Sequence, residues 1–458
     1  VDHFFCYSSK TLKYFILIFQ IIKNTGTEFD DTSTSNKTIQ EKVTMCENKK
    51  NVVVDDCLCF AINETLNHYK EKGIYPVQLQ RGEVEENLNH SFGQWLSYMY
   101  TYLPRSAAES EYITMDYLSK EEVKKEFLNS KRSIKLLSCF CGNGGDVFGA
   151  ITALAKMYKA ANRQLPNIEV TIIEGSSVAI EQFVELFSRW ERNFVNSEPL
   201  FKNCTFKLNG LEHIYDSSSA MSIDKSNNEL MDYLADEKFD LITSFKGIGE
   251  IIKSSTLLNM RDINYNKNFY TGFENHAYAV FMEIFARSLS KRGAIIIADS
   301  TYTLQGKCFT NRMLTHQAIQ FIKCSQGEHD MKLLYPRPCS RMLEDETNGC
   351  DCPFSNVVRN DAFESCFPQS SFFATNSNYS YHSEKPDCMT YVMLCHKDMY
   401  EKMSAELDKI DEHTQNLDIA GYYRNGNEIK CRVDLSRYMA AEFQKLYAVD
   451  GRSDDLPF

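Results

Sequence analysis

The chain of 458 residues lacks a membrane-length apolar run and lacks an excess of positive charge. Its apolar stretch at residues 12–22, LKYFILIFQII, is shorter than the roughly 20 residues that cross a bilayer. Asp and Glu number 62 against 50 Lys and Arg, which gives a net charge of −12. We therefore expect no membrane span and no broad basic face for nucleic acid.

Cysteine is present, but not in the paired Cys-x-x-Cys spacing of common zinc sites. Several cysteines, such as Cys139, Cys141 and Cys395, lie in apolar strand-like runs, where a thiol behaves as a small apolar side chain. This usage predicts a reduced, intracellular protein, with the cytoplasm as the expected compartment. The apolar run at residues 12–22 resembles the core of a signal peptide and leaves a mitochondrial or secretory destination open.

A strand, a glycine turn and a helix follow one another directly at residues 135–150, KLLSCFCGNGGDVFGA. An apolar run opens the segment, a Gly-Asn-Gly-Gly loop follows, and Asp146 leads into residues with helical spacing. Glycines let a backbone turn tightly and approach a ligand, and a helix N-terminus offers free N–H groups. The segment is typical of the first half of a nucleotide-binding βαβ unit.

Three later apolar runs each end in a polar residue. They are IEVTIIE, which ends at Glu174, FDLITS, which ends at Ser244, and GAIIIADS, in which Asp299 stands next to the end. Strands that alternate with helices predict a parallel sheet with helices on both faces. We expect these three side chains on one rim of that sheet, at the carboxyl ends of the strands, where such proteins bind ligands.

These segments together resemble the class I S-adenosylmethionine-dependent methyltransferases. The resemblance covers about residues 130–397 and implies a Rossmann-like, doubly wound, mostly parallel seven-stranded sheet with an antiparallel last strand. Helical N- and C-terminal extensions flank it. The expected divisions are a partly irregular tail (1–60), a helical extension or lid (61–130), the methyltransferase-like domain (131–397) with a Cys-rich insertion (333–370), and a helical C-terminal extension (398–458).

The resemblance also implies which residues hold the cofactor, S-adenosylmethionine. In this family the glycine loop wraps the methionine portion, and the acid that ends the second strand accepts the ribose hydroxyls. A residue after the third strand reads the adenine amino group, and the fourth strand faces the reactive methyl group. Carried over, these roles fall on Cys141, Gly142, Asn143, Gly144 and Asp146 for the loop, on Glu174 for the ribose, on Asn209 or Glu212 for the adenine and on Ser244 for the fourth strand.

Two positions depart from the pattern of the family. Ser138 stands where the first strand usually carries an acid, and Phe140 stands where the loop usually has its first glycine. The missing acid normally contacts the methionine amino group, so its loss and the bulk of Phe140 predict weaker binding or a different arrangement. Gly144-Gly145-Asp146 fits a variant in which the first helix begins with an acid.

The catalytic residues are less sharply indicated. The chain has no Asn/Asp-Pro-Pro-aromatic run after the fourth strand, and no Pro-Cys nucleophile pair at that position. These absences disfavour methylation of exocyclic base amines and of pyrimidine carbons. Lys246 and Asp299 are candidates for a lysine and carboxylate set that resembles ribose 2′-O-methyltransferases. The alternative is that Lys246 faces solvent at the rim.

A late group of thiols provides a candidate metal site. Cys339, Cys350, Cys352 and Cys366 lie in a Pro-rich stretch and could hold zinc or an iron–sulfur cluster. Ordinary thiols or disulfides are the alternative. This stretch also bears a faint likeness to mitochondrial ribosome-associated methyltransferase-like proteins.

Two hypotheses for function follow. The first is methyl transfer from S-adenosylmethionine to an unidentified acceptor. The second is an inactive methyltransferase-like scaffold or assembly factor in a larger complex, such as a ribosome, with protein partners bound through the helical extensions. A nicotinamide dehydrogenase, which shares only the βαβ logic, is the least favoured reading.

Overall fold

The structure, a computed structural model, describes residues 48–79, 87–254, 277–300, 303–304, 307–308, 314–315, 317–318, 321–322, 328–335, 370–383, 387–413, 422–425 and 428–431. All of these residues belong to one unit of the chain.

The strands are numbered along the chain. They are β1 (Asn48–Val53), β2 (Ile134–Cys139), β3 (Ile168–Glu174), β4 (Phe206–Glu212), β5 (Phe239–Phe245), β6 (Leu289–Ser300), β7 (Thr303–Leu304), β8 (Lys307–Cys308), β9 (Met331–Tyr335), β10 (Ser370–Asn376), β11 (Tyr381–His382), β12 (Asp387–His396), β13 (Tyr422–Asn425) and β14 (Glu428–Cys431).

The helices are numbered in the same way. They are α1 (Asp56–Glu71), α2 (Phe92–Thr101), α3 (Leu103–Leu118), α4 (Glu121–Asn129), α5 (Gly145–Ala160), α6 (Ser177–Ser197), α7 (Ala220–Leu234), α8 (Ile248–Ser254), α9 (Ala277–Arg287) and α10 (Lys397–His413).

One large sheet organises the fold, in the order β1-β10-β12-β6-β5-β2-β3-β4. The run β6-β5-β2-β3-β4 is parallel throughout, and β12 is antiparallel to both β6 and β10. Seven of these strands, β10-β12-β6-β5-β2-β3-β4, form the Rossmann-like, mostly parallel sheet that the sequence predicts. The fold class is therefore confirmed. The sheet is larger than predicted because β1 adds parallel to β10, β9 pairs with β12, and β11 pairs with β10.

The order of connections reverses between β2 and β5. The chain runs outward from β2 through β3 to β4, and then returns to β5 on the other side of β2. Loops leave the carboxyl ends of β2 and β5 in opposite directions, which opens a crevice between them. A ligand site is therefore expected at this point of the rim.

Alternation along the strands divides the apolar side chains between two cores. One face, which carries Leu136, Val170 and Leu241, packs under helices that include α3, α5 and α6. The other face, with Leu137 and Ile242, packs under α7, α8 and α9. Successive side chains point to opposite faces of a strand, so each central strand can be apolar on both sides.

A buried charge network holds the opposite end of the sheet. Asp240 is fully buried in β5 and accepts two bonds from Arg292, Nε to Oδ1 and Nη2 to Oδ2, each at 2.9 Å. Arg132 Nη2 and Ser290 Oγ also donate to Oδ1, at 2.6 and 2.7 Å. Because every Asp240 oxygen is satisfied, the buried carboxylate is tolerated and ties β5 to β6.

Three segments contain more strand than the sequence predicts. Residues 48–53, assigned to a partly irregular tail, form the edge strand β1, and the expected helical C-terminal extension contains the hairpin β13–β14. The third strand of the domain, expected to end before Asn209, continues to Glu212 as β4. β4 pairs in register with β3 along its whole length, and that pairing extends it beyond its apolar residues.

Candidate active site

The glycine loop between β2 and α5 contains two glycines in the left-handed conformation. Gly142 has φ 52° and Gly144, the N-cap of α5, has φ 81°. A Cβ on Gly144 would overlap the ring of Phe183, and a Cβ on Gly142 would lie 3.4 Å from Trp95 Cζ3. Both positions therefore require glycine or strongly favour it, by backbone conformation and by lack of space.

Glu174 faces this loop. Its Oε2 accepts the amide of Gly142 at 2.8 Å, and its Oε1 accepts the amides of Gly175 and Ser176 at 2.9 and 3.1 Å. The residue is 6% exposed, and burial raises the pKa of its carboxyl although the three amides pull that pKa down. The acid at the end of β3 and the loop after β2 thus lie together, as the resemblance implies.

Asp146 brings an acid to the position where the first strand lacks one. Its Oδ2 accepts hydrogen bonds from Ser138 Oγ on β2 and from Thr243 Oγ1 on β5, both at 2.6 Å. The residue is 2% exposed, and burial raises the pKa of its carboxyl. A carboxylate therefore occupies the crevice between β2 and β5, supplied by the first turn of α5 instead of by the strand.

Helix α2 lies against the outside of the loop. Trp95 is 1% exposed and contacts Gly142, and its Nε1 is buried without a hydrogen-bond partner in the described structure. Tyr98 packs edge-to-face on Trp95. The helical spacing of these aromatics is visible in the sequence, but their contact with the loop is not.

Asn143 links the loop to α6 and α2. Its Nδ2 donates to Gln182 Oε1 at 3.4 Å, and Gln182 Nε2 donates to the carbonyl of Phe92 at 2.9 Å. Asn143 is 1% exposed, and its Oδ1 has no partner among the described residues. Cys141 is buried in the same loop, and burial raises the pKa of its thiol.

Phe140 does not enter the space between the loop and Glu174. Its ring packs against Phe281 and Tyr215, with centroids 5.2 and 6.4 Å away, on the face of α7 and α9. The residue has φ 61°, an unusual conformation for a side chain of this size. The bulk that replaces the first glycine is therefore directed into the second core, and this conformation makes that possible.

Two further residues expected to contact the cofactor lie on β4 and β5. Asn209 is in the middle of β4, opposite Thr171, because β4 is longer than predicted; Glu212 is the residue level with Glu174. Ser244 is 1% exposed, and its parity in β5 places it with Ile242, on the face opposite Thr243. Its Oγ has no partner in the described part of the chain.

Lys246 belongs to a buried group of charges. Its Nζ lies 2.8 Å from Glu109 Oε2 and 2.5 Å from Asp387 Oδ2, and Arg105 Nη1 lies 3.6 Å from the same Asp387 oxygen. These four residues are called the Lys246 cluster. Lys246 is the first residue after β5, and its φ is 66°. It does not face open solvent, since 13% of its side chain is exposed.

The charged groups of the Lys246 cluster shift one another's pKa values. Burial raises the pKa of Glu109 to about 8, although Lys246 opposes that rise. Burial alone would lower the pKa of Lys246, but Asp387 and Glu109 outweigh it and raise that pKa. Burial acts against ionisation of Asp387 as well, yet Lys246 and Arg105 lower its pKa.

Asp299 is not a member of this cluster. Its Oδ2 accepts the amide of Gly249 at 2.6 Å and the hydroxyl of Tyr278 at 2.8 Å, and its Oδ1 accepts the amide of Ser300. The carboxylates that contact Lys246 Nζ are those of Glu109 and Asp387. The carboxylates come from α3 and from the start of β12, which no local motif indicates.

The predicted thiol site at Cys339, Cys350, Cys352 and Cys366 lies outside the described residues. Within them, one group has the composition of a metal site: Glu283, Glu328 and His329. Arg287 Nη2 lies 2.9 Å from Glu283 and 3.4 Å from Glu328. The guanidinium group of Arg287 therefore already pairs with both carboxylates. Among the described helices, none is long and apolar enough to cross a membrane.

The loop suits an adenosyl ligand by its chemistry. The carboxylate of Glu174 is acceptor-only, and three amides leave it one further lone-pair site of roughly four. Asn143 Oδ1 and Trp95 Nε1, one acceptor and one donor, are buried and unpaired around the side-chain-free Gly142. These groups fit the hydroxyls and polar ends of S-adenosylmethionine.

Comparison with known proteins gives similarity to solved structures alone. No family model matches the chain, and no curated protein matches it. The chain is similar to loganic acid methyltransferase with SAH, at 10% identity over 68% of this chain and 97% of that chain, with a TM-score of 0.36. It is also similar to the plantazolicin methyltransferase BpumL in complex with SAH (11% identity, 79% and 99%, TM-score 0.26) and to a methyltransferase homolog protein from Pyrococcus horikoshii (10% identity, 73% and 82%, TM-score 0.28). At these values the similarities carry no argument about activity, and the strand order and register define the fold.

Proposed function

We propose that this chain binds S-adenosylmethionine and catalyses methyl transfer to an acceptor that bears a nucleophilic atom. The observation that carries the proposal is the contact of Glu174 with Gly142, in which the carboxylate that ends β3 accepts a loop amide at 2.8 Å. An acid and a glycine loop share the rim beside the reversal of strand order, where doubly wound proteins bind nucleotide-like ligands.

The chain's own residues would bind and orient the cofactor. Glu174 would accept a ribose hydroxyl at its remaining lone-pair site, and Gly142 and Gly144 keep the loop backbone open to close approach. Asp146 would face the amino group of the methionine portion, in place of the strand acid that Ser138 replaces. When bound, S-adenosylmethionine supplies an electrophilic methyl group, and transfer of that group depends mainly on positioning.

Lys246 and Asp299 take different roles in this proposal. Lys246 lies on the acceptor side, because its ammonium group is buried next to the loop and held by two carboxylates. Asp299 is a positioning residue, because it accepts the Gly249 amide and so fixes the turn that follows Lys246.

An inactive scaffold remains the second candidate, and one observation favours it. Three amides already occupy Glu174, so the loop and the acid are held together by the chain itself. In a scaffold this arrangement would be purely structural. In an enzyme, the carboxylate must share its oxygens with a ligand.

Calorimetry with S-adenosylhomocysteine separates the two candidates. The proposal expects saturable binding to the full chain at micromolar concentrations, and weaker binding for Gly144→Ala. A second titration with NADH serves as the control for a dehydrogenase. No binding of S-adenosylhomocysteine at millimolar concentration would leave the scaffold as the better reading.

A further inference from the structure

The Lys246 cluster lies directly beside the glycine loop. Lys246 Nζ is 3.3 Å from Ser106 Oγ, and Ser106 Cβ lies 2.8 Å from the position that a Cβ on Gly145 would take. Ser110 Oγ donates to the carbonyl of Asp146 at 2.8 Å, so α3 is tied to the start of α5 on both sides of Glu109. The cluster and the proposed cofactor site therefore share one wall.

Two atoms of the cluster have no hydrogen-bond partner among the described residues. They are Glu109 Oε1, an acceptor on a fully buried side chain, and Arg105 Nε, a donor. The two residues are four apart on α3 and so lie on the same face of that helix. An unpaired buried polar atom is destabilising, and a partner that both donates and accepts would satisfy the pair.

Lys246 has no hydrogen bond left to offer. An ammonium group has three N–H donors, and Lys246 Nζ already contacts Ser106, Glu109 and Asp387. An anionic acceptor such as a carboxylate could accept from Arg105, but it would face the unpaired oxygen of Glu109. A neutral hydroxyl or amine group fits both unpaired atoms, because it can accept a hydrogen bond from Arg105 Nε and donate one to Glu109 Oε1.

We propose that the Lys246 cluster is the acceptor subsite, that it takes a neutral hydroxyl or amine, and that Glu109 receives the proton of that group. This inference rests on the proposed function. The acceptor's O–H or N–H bond breaks, its proton goes to the Glu109 carboxylate, and its electron pair stays on the acceptor atom. That atom bonds to the methyl carbon, while the methyl–sulfur bond breaks and leaves its electron pair on sulfur.

Every charged group that faces Glu109 suits this role. Lys246 and Arg105 stabilise the ionised carboxylate, whereas Asp387 and burial favour its protonated form. Tyr381, near Arg105 and Glu109, has a pKa raised by burial to about 12 and stays neutral. Glu109 thus titrates at about pH 8, close to the range in which a general base is most effective.

Three flat probes test the acceptor class: phenol, aniline and benzoate, which present a hydroxyl, an amine and a carboxylate on the same ring. Each is titrated by NMR into full-length protein saturated with S-adenosylhomocysteine, and each is then incubated with [methyl-¹³C]S-adenosylmethionine from pH 6 to 9. Glu109→Gln is compared with wild type. Glu111→Gln is the matched control, because Glu111 lies on the same helix but pairs with Lys156.

The inference expects binding of phenol or aniline, with an affinity that falls at least about tenfold in Glu109→Gln and is unchanged in Glu111→Gln. It also expects methylation of phenol or aniline that rises with pH towards a plateau above about pH 8. Glu109→Gln should lower that rate by at least about 100-fold and remove the rise. Affinity for S-adenosylhomocysteine should stay the same in all three proteins.

Preference for benzoate, reaction with none of the three probes, or a Glu109→Gln variant with the wild-type affinity and pH profile would overturn the inference. In each of these cases S-adenosylhomocysteine can still bind, and the proposed function stands. Failure of wild type to bind S-adenosylhomocysteine is the distinct result that overturns the proposed function itself.

Discussion

Replacing Glu174 by glutamine tests how the loop is held. The carboxylate accepts three amides, two on Oε1 and one on Oε2. An amide side chain has one acceptor oxygen, so its NH₂ must face at least one backbone N–H. The less costly orientation keeps Gly175 and Ser176 and turns the NH₂ towards Gly142. Glu174→Gln therefore selectively releases the loop.

The size of the effect follows from the bond that is lost. A hydrogen bond to a charged group contributes about 1.5–3 kcal/mol. In Glu174→Gln the side-chain NH₂ and the Gly142 N–H would face each other as two donors, which adds to the loss. We expect the free energy of unfolding to fall by about 2 kcal/mol. We expect affinity for S-adenosylhomocysteine to fall about 10–100-fold, because the same carboxylate would accept a ribose hydroxyl and every 1.4 kcal/mol is tenfold.

Urea unfolding and calorimetry measure the two effects separately. Glu169→Gln is the matched control, since Glu169 lies on the same strand but makes only a partly exposed contact with Lys135 at 3.9 Å. That variant should change the free energy of unfolding by less than about 1 kcal/mol. A Glu174→Gln protein as stable as wild type and as tight a binder of S-adenosylhomocysteine would show that this carboxylate does not hold the loop.

Three further predictions concern single residues. Asp240→Ala should lower the free energy of unfolding by about 3–5 kcal/mol in urea, because Arg292 would be left buried and uncompensated; a loss below 1 kcal/mol would contradict this. Gly144→Ala should lower the thermal midpoint and the affinity for S-adenosylhomocysteine, because its Cβ would overlap Phe183 at a left-handed φ; wild-type values would rule out the clash. The raised pKa of Glu109 means that the folded state holds this proton more tightly than the unfolded state. Its contribution to stability is full below about pH 4.5 and is lost as pH rises through about 8. Between pH 5 and 9 the free energy of unfolding of wild type should therefore fall by on the order of a few kcal/mol relative to that of Glu109→Gln. Parallel plots of unfolding free energy against pH for the two proteins would contradict this.

The sequence predicts the parts of the fold that depend on local spacing. A run of strand, glycine loop and helix at residues 135–150 is contiguous, so its chemistry and its period are readable together. Glu174 follows from the same logic, because an acid that ends a buried strand beside such a loop must reach the rim of a parallel sheet. The edge β4 was harder, because its alternating, half-exposed residues give a weak apolar signal, and the predicted end fell short of Glu212.

Which distant groups meet depends on the packing of the whole chain. Asp146 reaches Thr243 across 97 positions of the chain, and Lys246 meets Glu109 and Asp387 across 137 and 141. Each residue has an ordinary local context, so its spacing predicts an element and a face but not a partner. Partners are set by the order of strands in the sheet and by the seating of α3 on the loop, and the free energy of those contacts comes from burial that no local pattern encodes.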